Sequence, residues 1–286
     1  GGTVVLSGDV ELSAPVKVEA PMVLDLGGHT ITTTLEREGR HHYAIENYSI
    51  LTIKGEGAIN ARGVKNFNNM TIEEGVAITN IDTDGGAAVW NEGEVVINGG
   101  TFKTNASAGE GSYGAALNTR DGGKAVVNGG VFESYSQLTY AIINEGISTV
   151  INNATVKAKH GCVAGSATSE TVINDGSFEL MENPGISDHC TYIVSSIKGG
   201  KFTLGANTDS GAQLFYESKI AEGFEAVVNG GWTYVVTSGI DAVVTTADEL
   251  VEALESGEDV FLAGDVKINP AGMSNAYGTT GINVKN

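Results

Sequence analysis

The stretch Glu94–Phe102, EVVINGGTF, decides the fold, because the chain keeps writing it again. KAVVNGGVF stands at Lys124–Phe132, STVINNATV at Ser148–Val156, ETVINDGSF at Glu170–Phe178 and SSIKGGKF at Ser195–Phe202. Aligned on the Asn of INGG, the anchors are Asn98, Asn128, Asn152, Asn174, Lys198 and Asn229, with weaker copies at Gly27, Lys54 and Glu73. The spacings run from 19 to 31 residues and average about 25. Self-similarity at a nearly fixed period is the signature of stacked repeats.

The residue before each anchor is aliphatic in every copy, from Leu26 to Val228, and all but Leu26 are β-branched. Four residues past the anchor stand Ile31, Ala58, Ala77, Phe102, Phe132, Val156, Phe178 and Phe202. Apolar positions flanking a turn-forming Asn/Gly pair read as two short strands. A third strand lies upstream of each anchor, as YAIENY, AAVWNEG, GAALNTR, YAIINEG and the weaker TYIVSS, with a late Asn at Asn47, Asn91, Asn118 and Asn144. No helical period intervenes, so the repeats are not βαβ units, whose crossovers need on the order of a dozen residues. The reading left is an all-β parallel β-helix (solenoid) of about nine coils over residues 1–239, one per anchor. Identical side chains then stack: Phe102 over Phe132, and Asn98 over Asn128 in a buried amide ladder.

LDLGGHTI at Leu24–Ile31, followed by coils of the type AIxNxGxxTVINGGTF, resembles the pectate-lyase-like superfamily of right-handed parallel β-helices, in the form found in bacterial surface proteins and phage fibres or tailspikes. The resemblance implies a right-handed coil. It leaves function open, because that fold carries lyases, hydrolases and inert adhesive rods alike.

The two ends of the chain are related. VVLSGDVEL at Val4–Leu12 recurs as VFLAGDVKI at Val260–Ile268. The second copy follows TADELVEALESGED, where Thr246 and Glu249 form a capping box. Leu250, Val251 and Leu254 lie at helical spacing, and Gly257 supplies the stop. One short helix is predicted over 246–256, and residues 240–286 read either as the start of a second similar unit or as a C-terminal cap. In the first case a similar helix is expected upstream of Gly1.

With 40 Gly, 4 Pro and a net charge of −19, the chain is turn-rich and acidic. Such a surface excludes nucleic acid and anionic lipid as partners. No apolar run reaches membrane length, so no membrane insertion is expected. The chain opens on GGTVVLSGD, without Met or signal peptide, and so reads as a fragment. Cys162 and Cys190 are too few for a disulfide framework and fall at different repeat positions, so free thiols are the favoured reading.

The resemblance also directs the search for chemistry. Polygalacturonase-like enzymes on this fold place Asp residues on adjacent coils beside a His and an Arg-Ile-Lys motif. Asp82 and Asp84 stand two apart in NIDTDGG, but His160 is about three coils away and Arg-Ile-Lys does not occur. Pectate lyases combine calcium-binding acids with a catalytic Arg or Lys, for which Arg120 beside Asp121 is the nearest candidate. Turn formation explains both sites more simply. His41 and His42 read as part of a solvated loop, and no metal or other cofactor is expected. The aromatics point elsewhere. Trp90, Tyr113, Tyr135 and Tyr140 fall in successive coils, and exposed rings on a β-helix face suit sugar rings. A carbohydrate-binding patch is expected at Trp90, Tyr113, Arg120 and Tyr140; the alternative is that Tyr113 and Tyr140 simply start strands and pack on neighbouring turns. The resulting expectation is an extracellular structural or adhesive rod of a bacterial surface or phage particle, meeting a cell-surface or host glycan. The competing expectation is a polysaccharide lyase or glycoside hydrolase using Asp82, Asp84 and Arg120.

Overall fold

The computed structural model describes residues 1–35, 40–82, 84–104, 113–136, 138–181, 190–203, 219–264 and 266, the side chains of Asp84 and Tyr113 excepted. The chain visits three sheets in rotation. The first has nine parallel strands, from Gly2–Val5 to Ser196–Ile197. The second runs from Val10–Leu12 to Lys201–Thr203 before an antiparallel end, and the third has eight strands, from Val16–Val18 to Thr191–Tyr192. Each circuit climbs by one strand, an arrangement compatible with a parallel β-solenoid.

Register explains the repeated sequence. Ile53, Ile72, Ile97, Val127, Ile151, Ile173 and Ile197 face one another across successive strands, and each is fully buried. In the second sheet Phe102 pairs with Phe132, Phe132 with Val156, Val156 with Phe178, and Phe178 with Phe202. The ring centroids of Phe102 and Phe132 are 4.8 Å apart, as are those of Phe178 and Phe202. That distance is the strand spacing itself, so like rings stack without backbone adjustment. The second Gly of NGG turns the chain between these sheets at φ +101° in Gly100 and +112° in Gly130. A Cβ on Gly100 would stand 2.6 Å from the Val76 carbonyl oxygen.

Two predicted core positions shift by one residue. Ile59 and Ile78, not Ala58 and Ala77, align with Ile31 and Phe102. KGEG and EEGV each turn with one more residue than NGG, and a single-residue slip exchanges the faces of a strand.

The amide ladders also differ from expectation. Asn98, Asn128, Asn152 and Asn174 do form one: each Nδ2 from Asn128 onward donates to the Oδ1 of the preceding Asn at 2.8–2.9 Å, and Asn98 donates to Glu73 Oε2 at 3.0 Å. It lies on the turn and is largely exposed. The buried ladder belongs to the third sheet, where Asn47 donates to Asn66 and Asn66 to Asn91, both at 2.7 Å, with all three residues at 0% exposure. Asn118 is not part of it. Thr119 pairs with Asn91 and Asn144, while Asn118 pairs with Trp90 on the outer row. Thr119 Oγ1 is buried without a partner. Thr119→Asn is therefore expected to rejoin the ladder and stabilise the fold by about 1 kcal/mol, read as a raised thermal midpoint.

The stack ends differently from the predicted ninth coil. Phe224–Asn229 and Trp232–Thr237 form an antiparallel hairpin, whose second strand pairs antiparallel with Lys201–Thr203. Val228 is 61% exposed instead of buried. The motif EAVVNGGW keeps its turn, but the next strand folds back instead of continuing the circuit. Beyond it, Ala242–Val244 and Val260–Leu262 pair in parallel around the helix Ala247–Ser256. The exclusion of βαβ units thus holds for the repeats and not for this segment.

Thr246 caps the helix: its side chain accepts from Glu249 N at 3.3 Å, and Gly257 closes the last turn in the left-handed region at φ 76°. The Glu249 carboxylate accepts from Thr245 N at 2.7 Å, Thr245 Oγ1 at 2.9 Å and Thr246 N at 3.0 Å. These bonds, the Thr245 amide first, lower its pKa from 4.5 to about 2. A carboxyl whose folded pKa lies below its unfolded one contributes stability above the unfolded value and loses it as pH falls through the folded value. Hydrogen-exchange protection of the Thr245 and Thr246 amides should therefore decline between pH 4.5 and about 2. In Glu249→Gln that decline should be absent.

Candidate functional site

The solvent face of the third sheet carries the predicted aromatic residue Trp90. Glu46, Lys65, Trp90, Asn118, Ile143 and Ala164 stand in register on six successive strands. Two residues after Lys65, Trp90, Asn118 and Ile143, just past each strand, come Phe67, Glu92, Arg120 and Glu145. Side chains of the two rows interlock. Trp90 Nε1 donates to Glu92 Oε1 at 2.7 Å, and Lys65 Nζ lies 3.2 Å from the same oxygen. Lys65 Nζ stands 5.8 Å from the Trp90 ring centre and Arg120 Cζ 5.1 Å, each coming from the strand on its own side of Trp90. Arg120 Nε in turn pairs with Glu145 Oε2 at 2.9 Å. The indole is held between cations, so a ligand in this cleft meets its rim and the Arg120–Glu145 pair.

These groups border a cleft of about 310 Å³. Trp90, Asn118, Arg120, Thr139, Ile143 and Glu145 dominate its side-chain lining, beside Ala115, and Gly85, Gly86 and Gly114 supply its bare backbone. Asn118 is only 8% exposed, and among the described residues nothing donates a hydrogen bond to its Oδ1. The cause is the register: Trp90 and Ile143 flank it, and the indole N–H is already committed to Glu92. An acceptor in such a place costs free energy until a donor reaches it.

The rest of the predicted patch divides. Tyr140 begins a strand two places from that of Trp90 and packs edge-on against His160, with centroids 5.1 Å apart. It also stacks at 6.1 Å with Tyr192, which the weak TYIVSS strand brings onto the same face. Sequence reasoning passed over Tyr192, although its strand had been aligned with that of Trp90. Tyr135 lies on another turn, its hydroxyl donating to Glu133 Oε2 at 3.2 Å. The side chain of Tyr113 lies outside the described residues.

The candidate catalytic residues are rearranged more deeply. Asp82 is not a solvated turn residue, its side chain being only 5% exposed. His41 Nδ1 lies 2.6 Å from Asp82 Oδ1, the His41 amide donates to both carboxylate oxygens, and Arg62 Nη1 donates to Asp82 Oδ2 at 3.0 Å. His41 thus belongs to a half-buried hydrogen-bonded cluster around the Asp82 carboxylate instead of a free loop. Asp82 meets His41 and Arg62 because three successive circuits pass the same corner, a proximity invisible in a linear reading. The Arg62 guanidinium also faces Tyr43, 5.9 Å from its ring centre; burial raises the Tyr43 hydroxyl pKa, against the hydrogen bond from Arg62. The Asp84 side chain lies outside the described residues, and Arg120 stands apart with Trp90 and Glu145. Among the described residues, no group of three or more His, Cys, Asp or Glu is placed to hold a metal ion. None of their helices is long and apolar enough to cross a membrane.

Comparison with protein-family models, curated proteins and solved structures returned no match. The class defined at this point is the architectural one, stacked parallel sheets with a cleft on one face.

Proposed function

We propose that the chain is a right-handed parallel β-helix of about nine coils, pectate-lyase-like in architecture, that serves as an extracellular structural or adhesive rod. A bacterial surface or a phage particle is its setting, and it holds a carbohydrate weakly in the cleft beside Trp90. Right-handedness follows from the general rule that about 98% of crossovers between parallel strands of one sheet take that hand. The nine strands of the first sheet support the coil number. Internal pairing throughout leaves strand edges only at the ends, which suits a protease-resistant shaft. The recurrence of Val4–Leu12 at Val260–Ile268 supports extension by repeated units, with residues 240–286 beginning the next unit or capping this one.

The observation that carries the binding reading is the cleft edged by an indole and an Arg–Glu pair, with Asn118 in its wall and the buried Asn118 Oδ1 unpartnered among the described residues. Sugars offer hydroxyl donors along an apolar ring face, which matches that lining. The test is a glycan array followed by calorimetry on the best binder. Trp90→Ala and Asn118→Leu should each weaken binding about tenfold or more, the worth of one well-placed contact. Asn118→Leu should leave the thermal midpoint unchanged or higher, since it removes an unsatisfied group. Binding that survives both changes refutes the cleft.

A second reading, a polysaccharide lyase or glycoside hydrolase, is favoured by one observation: an imidazole oriented by a buried carboxylate beside an arginine is the arrangement of a general base. Turnover of acidic or neutral glycans that disappears in His41→Ala and in Asp82→Asn would move the assignment to it.

A further inference from the structure

Cys162 lies in the strand Gly161–Ala164, and Cys190 immediately precedes Thr191–Tyr192, the strand at the end of the third sheet. The amides of Cys162 and Val163 donate to the Cys190 carbonyl at 3.1 and 3.0 Å, and Val163 pairs with Thr191. The two cysteines therefore occupy the same place in adjacent circuits, contrary to their apparent offset in the repeat. Their sulfurs stand 3.5 Å apart, and both residues are fully buried. Parallel neighbours in register have Cα atoms about 4.8 Å apart, inside the range of roughly 4.4–6.8 Å that a disulfide spans.

We propose that Cys162 and Cys190 form a disulfide when the chain folds in an oxidising compartment, stapling the terminal strand of the third sheet to the stack. The place is where a staple matters most. Thr191–Tyr192 has two residues and, among the described residues, pairs with a strand on one side only. Its Tyr192 completes the aromatic cluster with Tyr140. The chemistry balances with a low-molecular-weight disulfide as oxidant. One cysteine thiolate displaces a thiol from it, the second attacks the mixed disulfide, and two protons and two electrons leave on two oxidant thiols. Burial holds the Cys162 thiol well above its ordinary pKa, which disfavours the thiolate once the coils have closed. The bond accordingly forms during folding and not by later oxidation of the closed stack. The inference is independent of the carbohydrate reading.

The test is to refold the full chain in a glutathione redox buffer and, separately, in excess reductant. After oxidative refolding, peptide mapping should find the 162–190 cross-link and denatured alkylation no free thiol. The oxidised protein should melt about 5–10 °C above the reduced one, from the loop closed and the size of the chain. Comparing oxidised with reduced wild type avoids any packing defect of a serine variant. In Cys162→Ser/Cys190→Ser the two buffers should give one midpoint. Two alkylatable thiols after oxidative refolding overturn the proposal, and so does a cross-link that leaves the midpoint where reduction puts it.

Discussion

Ile151→Asp is expected to leave the chain unfolded. Ile151 has no exposed surface and lies in register between Val127 and Ile173, on the seventh strand of the nine-stranded sheet. An aspartate there has no cation within the stack, and an uncompensated buried charge costs several kcal/mol. Whole domains have only about 5–15 kcal/mol to lose. The defect is also poorly localised, because each circuit is supported only by its two neighbours, so one failed coil separates the stack into two shorter pieces. Circular dichroism should show loss of the β signal and of the cooperative melt. Ile151→Val removes one methylene and should cost only about 1 kcal/mol, with the melt kept.

Asn66→Ala is the second large effect. Asn66 accepts from Asn47 and donates to Asn91, each at 2.7 Å, and it also donates to the carbonyls of Asn68 and Glu94 at 2.9 and 3.0 Å. Alanine takes the donor away from the Asn91 oxygen and from the Asn68 and Glu94 carbonyls, while the Asn47 amide keeps the Ser49 and Asn69 carbonyls at 3.0 Å. At about 1–3 kcal/mol for each group left unsatisfied, the loss should be roughly 3–5 kcal/mol by chemical denaturation. The control is Asn128→Ala on the turn. It breaks two bonds of the outer ladder, to Asn98 and from Asn152, but its partners there meet solvent. Its cost should stay below about 1 kcal/mol if burial, and not the ladder as such, carries the energy.

What was legible in the sequence follows from the same physics. Ile97 and Phe102 could be read as core residues because NGG fixes the number of turn residues between them. Ile59 and Ile78 were missed because KGEG and EEGV make longer turns, and faces alternate with every residue. Asn118 was aligned with Asn47, Asn91 and Asn144 as the late Asn of its strand, but the register puts Thr119 in that row and Asn118 on the other face. The hairpin at Phe224–Thr237 kept the motif while the chain direction changed, and a motif does not record direction. Trp90 and Arg120 were selected for their chemistry, and the register does bring them together. The cluster of His41, Arg62 and Asp82 and the pairing of Cys162 with Cys190 depend on which circuits become neighbours after insertions of unequal length. Periodicity alone carries that poorly.

Core, buried ladder and cleft all rest on one claim, that successive circuits stack parallel and in register. Ile50, Asn69, Glu94, Lys124, Ser148 and Glu170 face one another on six successive strands of the first sheet. Spin labels on pairs of these positions, in a Cys162→Ser/Cys190→Ser background, measure that stacking in solution by pulsed electron resonance. Each intervening strand should lengthen the distance by one spacing, to about 19 Å between Asn69 and Glu170 and about 24 Å between Ile50 and Glu170. Distances that do not grow by a constant step along this row would contradict the stack, and with it the cleft and the rod.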